Sequence, residues 1–206
     1  NLFRDLIKSL LKDDFKITII TISGTENKIK TIKTKKLTYI GLKNKHLHSV
    51  NKNKRAIGEI STIMKIRNFY NKKNFTTFDQ VIVYTPTIFW SILLLKLKKK
   101  LVSIKLGDLY PKWLVDHKIM SKFSLSFLFL KFFEFLLYIQ ADRVYAQTEK
   151  DISYISKYKK IFNFKASVIY NWIFIDKLLN KKSLKKNRKH IRFIFVGVVG
   201  LAQDYK

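Results

Sequence analysis

Apolar positions along the chain switch between two periods. Residues 2–12 set Phe3, Leu6, Ile7, Leu10 and Leu11 on one face, the spacing of a surface helix. Residues 15–22 (FKITIITI) are β-branched and almost continuously apolar, as a strand covered on both faces would be. Residues 35–42 predict a second, weaker strand. Residues 44–55 read as a basic polar loop, and 56–71 as a helix with Ile57, Ile60, Ile63 and Met64 inward.

The alternation is clearest further on. Residues 79–84 (DQVIVY) predict a short strand, and Thr85-Pro86 punctuates it ahead of a helix over 87–97. Lys98, Lys99 and Lys100 then fall at that helix's C-terminus, where the dipole favours cations. Residues 101–106 predict the next strand, and Gly107-Asp108-Leu109-Tyr110-Pro111 a loop. Residues 112–139 read as one long helical region, or two helices broken near 121–124. Residues 142–147 predict a strand. Thr148 then starts a helix with Asp151 three residues on, a variant of the capping box. Residues 166–170 predict a further strand. The expected class is a doubly wound α/β domain with a Rossmann-like parallel sheet over residues 1–180. A polar basic linker over 181–190 follows, and the strand 191–196 opens a second domain over 191–206. The chain begins with Asn1 rather than Met, and no helix follows that last strand. Both ends are therefore expected to be cut, with the first strand of the first domain missing.

Composition narrows the class. An apolar fraction of 47% excludes a disordered basic tail in this 206-residue chain. The absence of Cys excludes disulfide scaffolds, zinc-thiolate sites and thiol catalysis. The uncharged run 81–95 is shorter than the roughly 20 residues of a spanning helix, and Lys122, Lys131 and Glu134 break the apolar stretch 119–139. No transmembrane helix and no signal peptide is expected. The net charge of +28 invites a nucleic-acid partner, but 36 Lys stand against only 6 Arg. Arg is the side chain that clamps phosphate and reads guanine, so no nucleic-acid partner is expected. Abundant Lys, Ile, Phe and Asn together have the pattern of low-GC coding bias. The lysine runs are solvated faces, or they adhere to an anionic membrane surface. The segment 123–139 is either a buried helix or one that lies in a lipid interface.

In a doubly wound sheet, ligands bind beyond the carboxyl ends of the strands. That rule nominates Ser23 and Gly24, Thr85 and Pro86, Gly107 to Pro111, Thr148 and Glu149, Asn171 and Trp172, and Gly197 to Gly200. Asp108 is the carboxylate of most interest. It can accept a proton from an attacking hydroxyl, or it can cap the following helix, with Pro111 in the first turn. The Gly197–Gly200 turn either approaches a phosphate or is a tight turn only. His46 and His48 form an H-x-H pair among cations, which reads as solvated surface, and no metal site is expected.

Four segments in order resemble bacterial family 4 glycosyltransferases. Asp108-Leu109-Tyr110-Pro111-Lys112-Trp113 with Val115-Asp116 resembles their R-D-x-[FWY]-P-x-W-x-x-D stretch. Ala141-Asp142-Arg143-Val144 with Gln147-Thr148-Glu149 resembles A-D-x-[IV]…Q-S. Val168-Ile169-Tyr170-Asn171-Trp172 resembles V-x-x-N-W, and the segment 195–204 resembles Y-x-G-N-x-G-x-A-Q-x. Gly107 stands where the family usually has Arg, Val198 where it has Asn, and Phe174 where an Asp commonly follows N-W. The resemblance implies the GT-B fold, two Rossmann-like domains facing across a cleft. It implies retaining transfer of a sugar from a nucleotide-sugar to a lipid-linked, polyprenyl diphosphate glycan, in O-antigen, capsule or exopolysaccharide synthesis. The nucleotide-sugar is a co-substrate, and no bound metal or other cofactor is implied. Asp108 is the implied catalytic residue. Thr85, Pro86, Tyr110, Pro111, Trp113, Thr148, Glu149 and Asn171 would serve the acceptor, and Gly197 and Gly200 the donor. The implied location is cytoplasmic, peripheral on the inner face of the plasma membrane. The second domain's glutamate pair would lie beyond Lys206, so this chain by itself is expected to be inactive. The alternatives are a basic nucleic-acid-binding module and another two-domain sugar-nucleotide enzyme such as an epimerase.

Overall fold

Strands and helices alternate through the computed structural model, which describes residues 2–23, 30–43, 52–72, 77–85, 87–97 and 99–171. The architecture is mixed α/β, with parallel strands in two sheets. Helix α1 (Leu2–Lys12) leads into β1 (Ile17–Ser23). Strand β2 (Lys30–Lys33) turns directly into β3 (Leu37–Lys43), which runs parallel to β1 and antiparallel to β2. A wholly parallel sheet was the expectation, and β2 departs from it for a local reason. Thr34 N–H donates to the Leu37 carbonyl at 2.7 Å, and Leu37 N–H donates back to Thr34 Oγ1 at 3.0 Å. So short a link permits only antiparallel pairing.

Helix α2 (Lys52–Lys72) starts earlier than expected, within the segment read as a basic loop. Its inward side also differs from the expected one. Ile63 is fully buried, but Ile57 is 66% exposed and Met64 also faces out. Glu59, Thr62 and Ile66 take the core positions instead. At 3.6 residues per turn these lie opposite Ile57 and Met64. Gly58 is buried beside them, and its carbonyl accepts the Thr62 hydroxyl at 2.7 Å.

The second sheet carries the order β4 (Phe78–Tyr84), β5 (Lys99–Lys105), β6 (Arg143–Ala146), β7 (Lys165–Val168), every neighbour parallel. Between β4 and β5 lies α3 (Trp90–Leu94), a single short helix where 87–97 was expected. Lys99 and Lys100 belong to β5, not to a helix end. Lys100 pairs across the strands with Asp79 at 2.7 Å, while the Lys99 ammonium still reaches back to the Leu94 carbonyl. One lysine thus satisfies the end of α3 from the neighbouring strand. Between β5 and β6 come α4 (Lys112–Asp116) and α5 (Leu125–Tyr138), separated where a break was expected. Ser124 caps α5, its hydroxyl accepting Phe127 N–H at 3.2 Å.

Helix α6 (Glu149–Phe162) joins β6 to β7, and its capping box is complete. Thr148 Oγ1 accepts Asp151 N–H at 3.2 Å, and the Asp151 carboxylate accepts Thr148 N–H at 3.1 Å. Thr148→Ala is expected to cost about 1 kcal/mol, a Tm about 3 °C lower by thermal melt. An unchanged Tm would show that the cap contributes nothing.

The core forms where β5 and β6 are covered. Val102, Ile104, Leu106, Val144 and Ala146 are buried, as a parallel strand's residues should be. Phe89 meets Phe133 of α5 edge-to-face at 5.0 Å, and Tyr138 of α5 stacks on Tyr158 of α6 at 4.7 Å. The linker 181–190, the strand 191–196, and His46, His48 and His190 lie outside the described residues.

Candidate active site

The carboxyl ends of β4, β5 and β6 and the chain leaving β7 meet along one edge, and two side chains fasten them. Thr85 is buried just beyond β4, and its hydroxyl accepts Gly107 N–H at 3.0 Å. Gln147, just beyond β6, donates to the Gly107 carbonyl at 2.9 Å and to the Leu106 carbonyl at 3.3 Å. Its own carbonyl accepts the Asn171 side chain at 3.3 Å. The loop that begins at Gly107 is therefore held from both neighbouring strands.

Asp108 projects from that fixed loop with its side chain exposed. No hydrogen bond to its carboxylate forms among the described residues. Its backbone carbonyl accepts Tyr110 N–H at 3.0 Å. Pro111, not Asp108, stands at the N-cap of α4, and that helix has no side-chain cap. The capping role open to Asp108 is thus not the one it takes. Tyr110, Pro111 and Trp113 follow in the same segment. Pro111 is buried, and the Trp113 ring leans on His117 with centroids 4.8 Å apart.

Gly107 is required by close approach. A Cβ there would sit 2.7 Å from the Thr85 carbonyl oxygen and 3.0 Å from the Tyr84 hydroxyl. The Arg usual at this position in the resembled family has no room here. Gly107→Ala is expected to cost about 1–3 kcal/mol by forcing the loop or Tyr84 aside. Equilibrium denaturation checks this, and a variant as stable as the parent would show that the edge yields freely.

Thr148 and Glu149 stand at the start of α6 beside Gln147, and both are exposed. Asn171 is exposed on the far side of the same amide chain. Thr85, Asp108, Gln147, Thr148 and Asn171 thus share the carboxyl edge. Pro86, Trp172, Gly197 and Gly200 lie outside the described residues. Asp142 is at the opposite edge. Its carboxylate accepts Val102 N–H at 2.6 Å, and its carbonyl accepts Lys165 N–H at 2.9 Å, a purely structural tie.

Three residues at this edge are not among those that the carboxyl-end rule nominates. Gln147 is the amide clasp described above. Tyr84 ends β4, crowds Gly107, and carries the Phe3 ring of α1 at 5.0 Å. Lys105 is the last residue of β5 and only 3% exposed, its ammonium donating to the Ile169 carbonyl. Burial holds its pKa below the usual lysine range, partly offset by the Asp151 charge. A lysine ending an apolar strand is the signal that marks it.

Among the described residues, no group of three or more His, Asp or Glu side chains could hold a metal ion, and no helix is long and apolar enough to cross a membrane. No protein-family model and no curated protein matches the chain.

Proposed function

We propose that this α/β unit is the acceptor-binding domain of a two-domain glycosyltransferase of the GT-B type, its strands part of a doubly wound sheet. It takes a sugar from a nucleotide-sugar and passes it to a lipid-linked, polyprenyl diphosphate glycan at the cytoplasmic face of the membrane. The observation that carries the reading is Asp108: an exposed carboxylate on a loop fastened by Thr85 and Gln147, at the edge where parallel sheets bind ligands. In the proposed reaction Asp108 orients the acceptor hydroxyl and takes its proton as the new glycosidic bond forms. The bond from the sugar to the nucleotide diphosphate breaks, and the diphosphate leaves with the electron pair. Tyr110 and Trp113 offer rings on which a sugar can stack. The donor is assigned to the second domain, with Gly197 and Gly200, on the resemblance alone.

The test uses the full-length protein with radiolabelled nucleotide-sugars and polyprenyl diphosphate-linked sugar in detergent. Label entering the lipid-extractable fraction is the expected result. Epimerised nucleotide-sugar without transfer would assign the site to the rival enzyme class. Salt-sensitive binding of nucleic acid without either activity would assign the chain to a basic binding module.

A further inference from the structure

Helix α5 is apolar on both its inner and its outer side. Its charged residues lie on the inner side: Glu134 is buried and ion-paired with Lys131. Leu130, Leu137 and Tyr138 fill the remaining inner positions. The outer side carries Leu125, Leu128, Phe129, Phe132, Phe135 and, just past the helix, Ile139, all exposed. Leu125 is 84% and Phe132 58% exposed. At 100° per residue these six lie within about 120° of the helix circumference, with no polar residue among them. A surface helix of a protein that meets only water carries its charges there.

The apolar surface continues onto α6. Phe135 meets Phe162 at 4.7 Å, and the adjoining Ile161 is 65% exposed. The whole patch is on the order of several hundred Å², the size that marks an interaction surface. Its rim is cationic. Exposed Lys118 and Lys122 precede α5, the Lys122 ammonium lying 5.0 Å from the exposed Phe123 ring. Lys159, Lys160 and Lys165 surround the end of α6, all exposed. Through residues 117–139 and 159–171 the one carboxylate is Glu134, which is buried and already paired.

From this geometry we infer that the outer face of α5, with the end of α6, docks on an anionic lipid surface. The phenylalanines and leucines enter the acyl boundary with the helix in the plane of the interface. The lysine ammoniums reach the phosphates around it on their long stems. Charge complementarity selects lipid over a protein partner: the rim carries five exposed lysines, while of the two flanking carboxylates Asp116 pairs with Lys112 and Asp142 accepts Val102 N–H. The inference stands on α5 and α6 and holds whether or not the carboxyl edge transfers sugar.

The test is sedimentation of the full-length protein with vesicles of phosphatidylcholine alone or with added phosphatidylglycerol. Binding to the mixed vesicles is expected. It should weaken at least about tenfold in Leu128→Ser/Phe132→Ser, and roughly tenfold in Lys159→Gln/Lys160→Gln. Both pairs are exposed, so circular dichroism should be unchanged. Because the chain has no Cys, Leu128→Cys gives one labelling position in this sequence for a polarity-sensitive fluorophore. Its emission should shift to the blue on mixed vesicles. Binding that ignores the Leu128 and Phe132 changes, or a fluorophore that stays in water, would overturn the inference. So would a dimer that these same substitutions dissolve with no vesicle binding, which would make the face a contact between copies.

Discussion

Glu134→Ala is expected to lower stability by about 3–5 kcal/mol, a Tm roughly 10 °C lower. Glu134 is 1% exposed and gathers three donors from two helices. The Lys131 ammonium pairs with it, Tyr158 donates its hydroxyl at 2.9 Å, and Tyr154 does so at 3.1 Å. Removing the carboxylate leaves a partly buried ammonium without its anion and two phenols without their acceptor. A buried pair broken on one side costs far more than the intact pair contributes. The same cluster ties α5, and the apolar face it presents, to α6. Burial first, and the Glu134 charge second, push the Tyr154 and Tyr158 phenols above their ordinary value of 10.0. A phenol that ionises less readily when folded contributes stability that is intact below that value and is lost as pH rises above it. The protein should therefore weaken at alkaline pH. In Glu134→Gln the phenolate absorbance should appear at lower pH than in the parent. Parental stability in Glu134→Ala would show that the cluster is not what joins the two helices.

The hydrophobic pattern reveals this fold where burial is simple. Strands β4, β5 and β6 are short apolar runs between turn residues, and the capping box of α6 is legible as Thr148 and Asp151. The pattern misleads where the core side of an element is not apolar. Helix α2 turns Gly58, Glu59 and Thr62 inward, so the greasy positions Ile57 and Met64 point the wrong way for a hydropathy reading. In α5 the outer side is as apolar as the inner, and only the structure tells a buried helix from one waiting for an interface. Strand β2 has four residues and no run to mark it. At the carboxyl edge, topology nominated Thr85, Asp108, Thr148 and Asn171. Gln147 stands in the Q-S-like segment, but neither its grip on the Gly107 carbonyl nor that of Lys105 on the Ile169 carbonyl can be read from residue types.

Asp108→Asn is expected to reduce sugar transfer by about 10²–10⁴-fold. Asparagine keeps the size and the exposed position, and neither a helix cap nor a described hydrogen bond is lost with the charge. Folding should therefore be unaffected, and the thermal melt should overlay that of the parent. On the proposed reading, what disappears is the carboxylate that takes the acceptor's proton at this loop. The donor is assigned to another domain, so its affinity should not change. The decisive measurement is a side-by-side comparison of full-length parent and Asp108→Asn, with transfer to the polyprenyl diphosphate acceptor followed by radiolabel and nucleotide-sugar affinity by calorimetry. The account predicts a loss of transfer of at least about a hundredfold with unchanged donor affinity. Parental transfer rates in Asp108→Asn would contradict it.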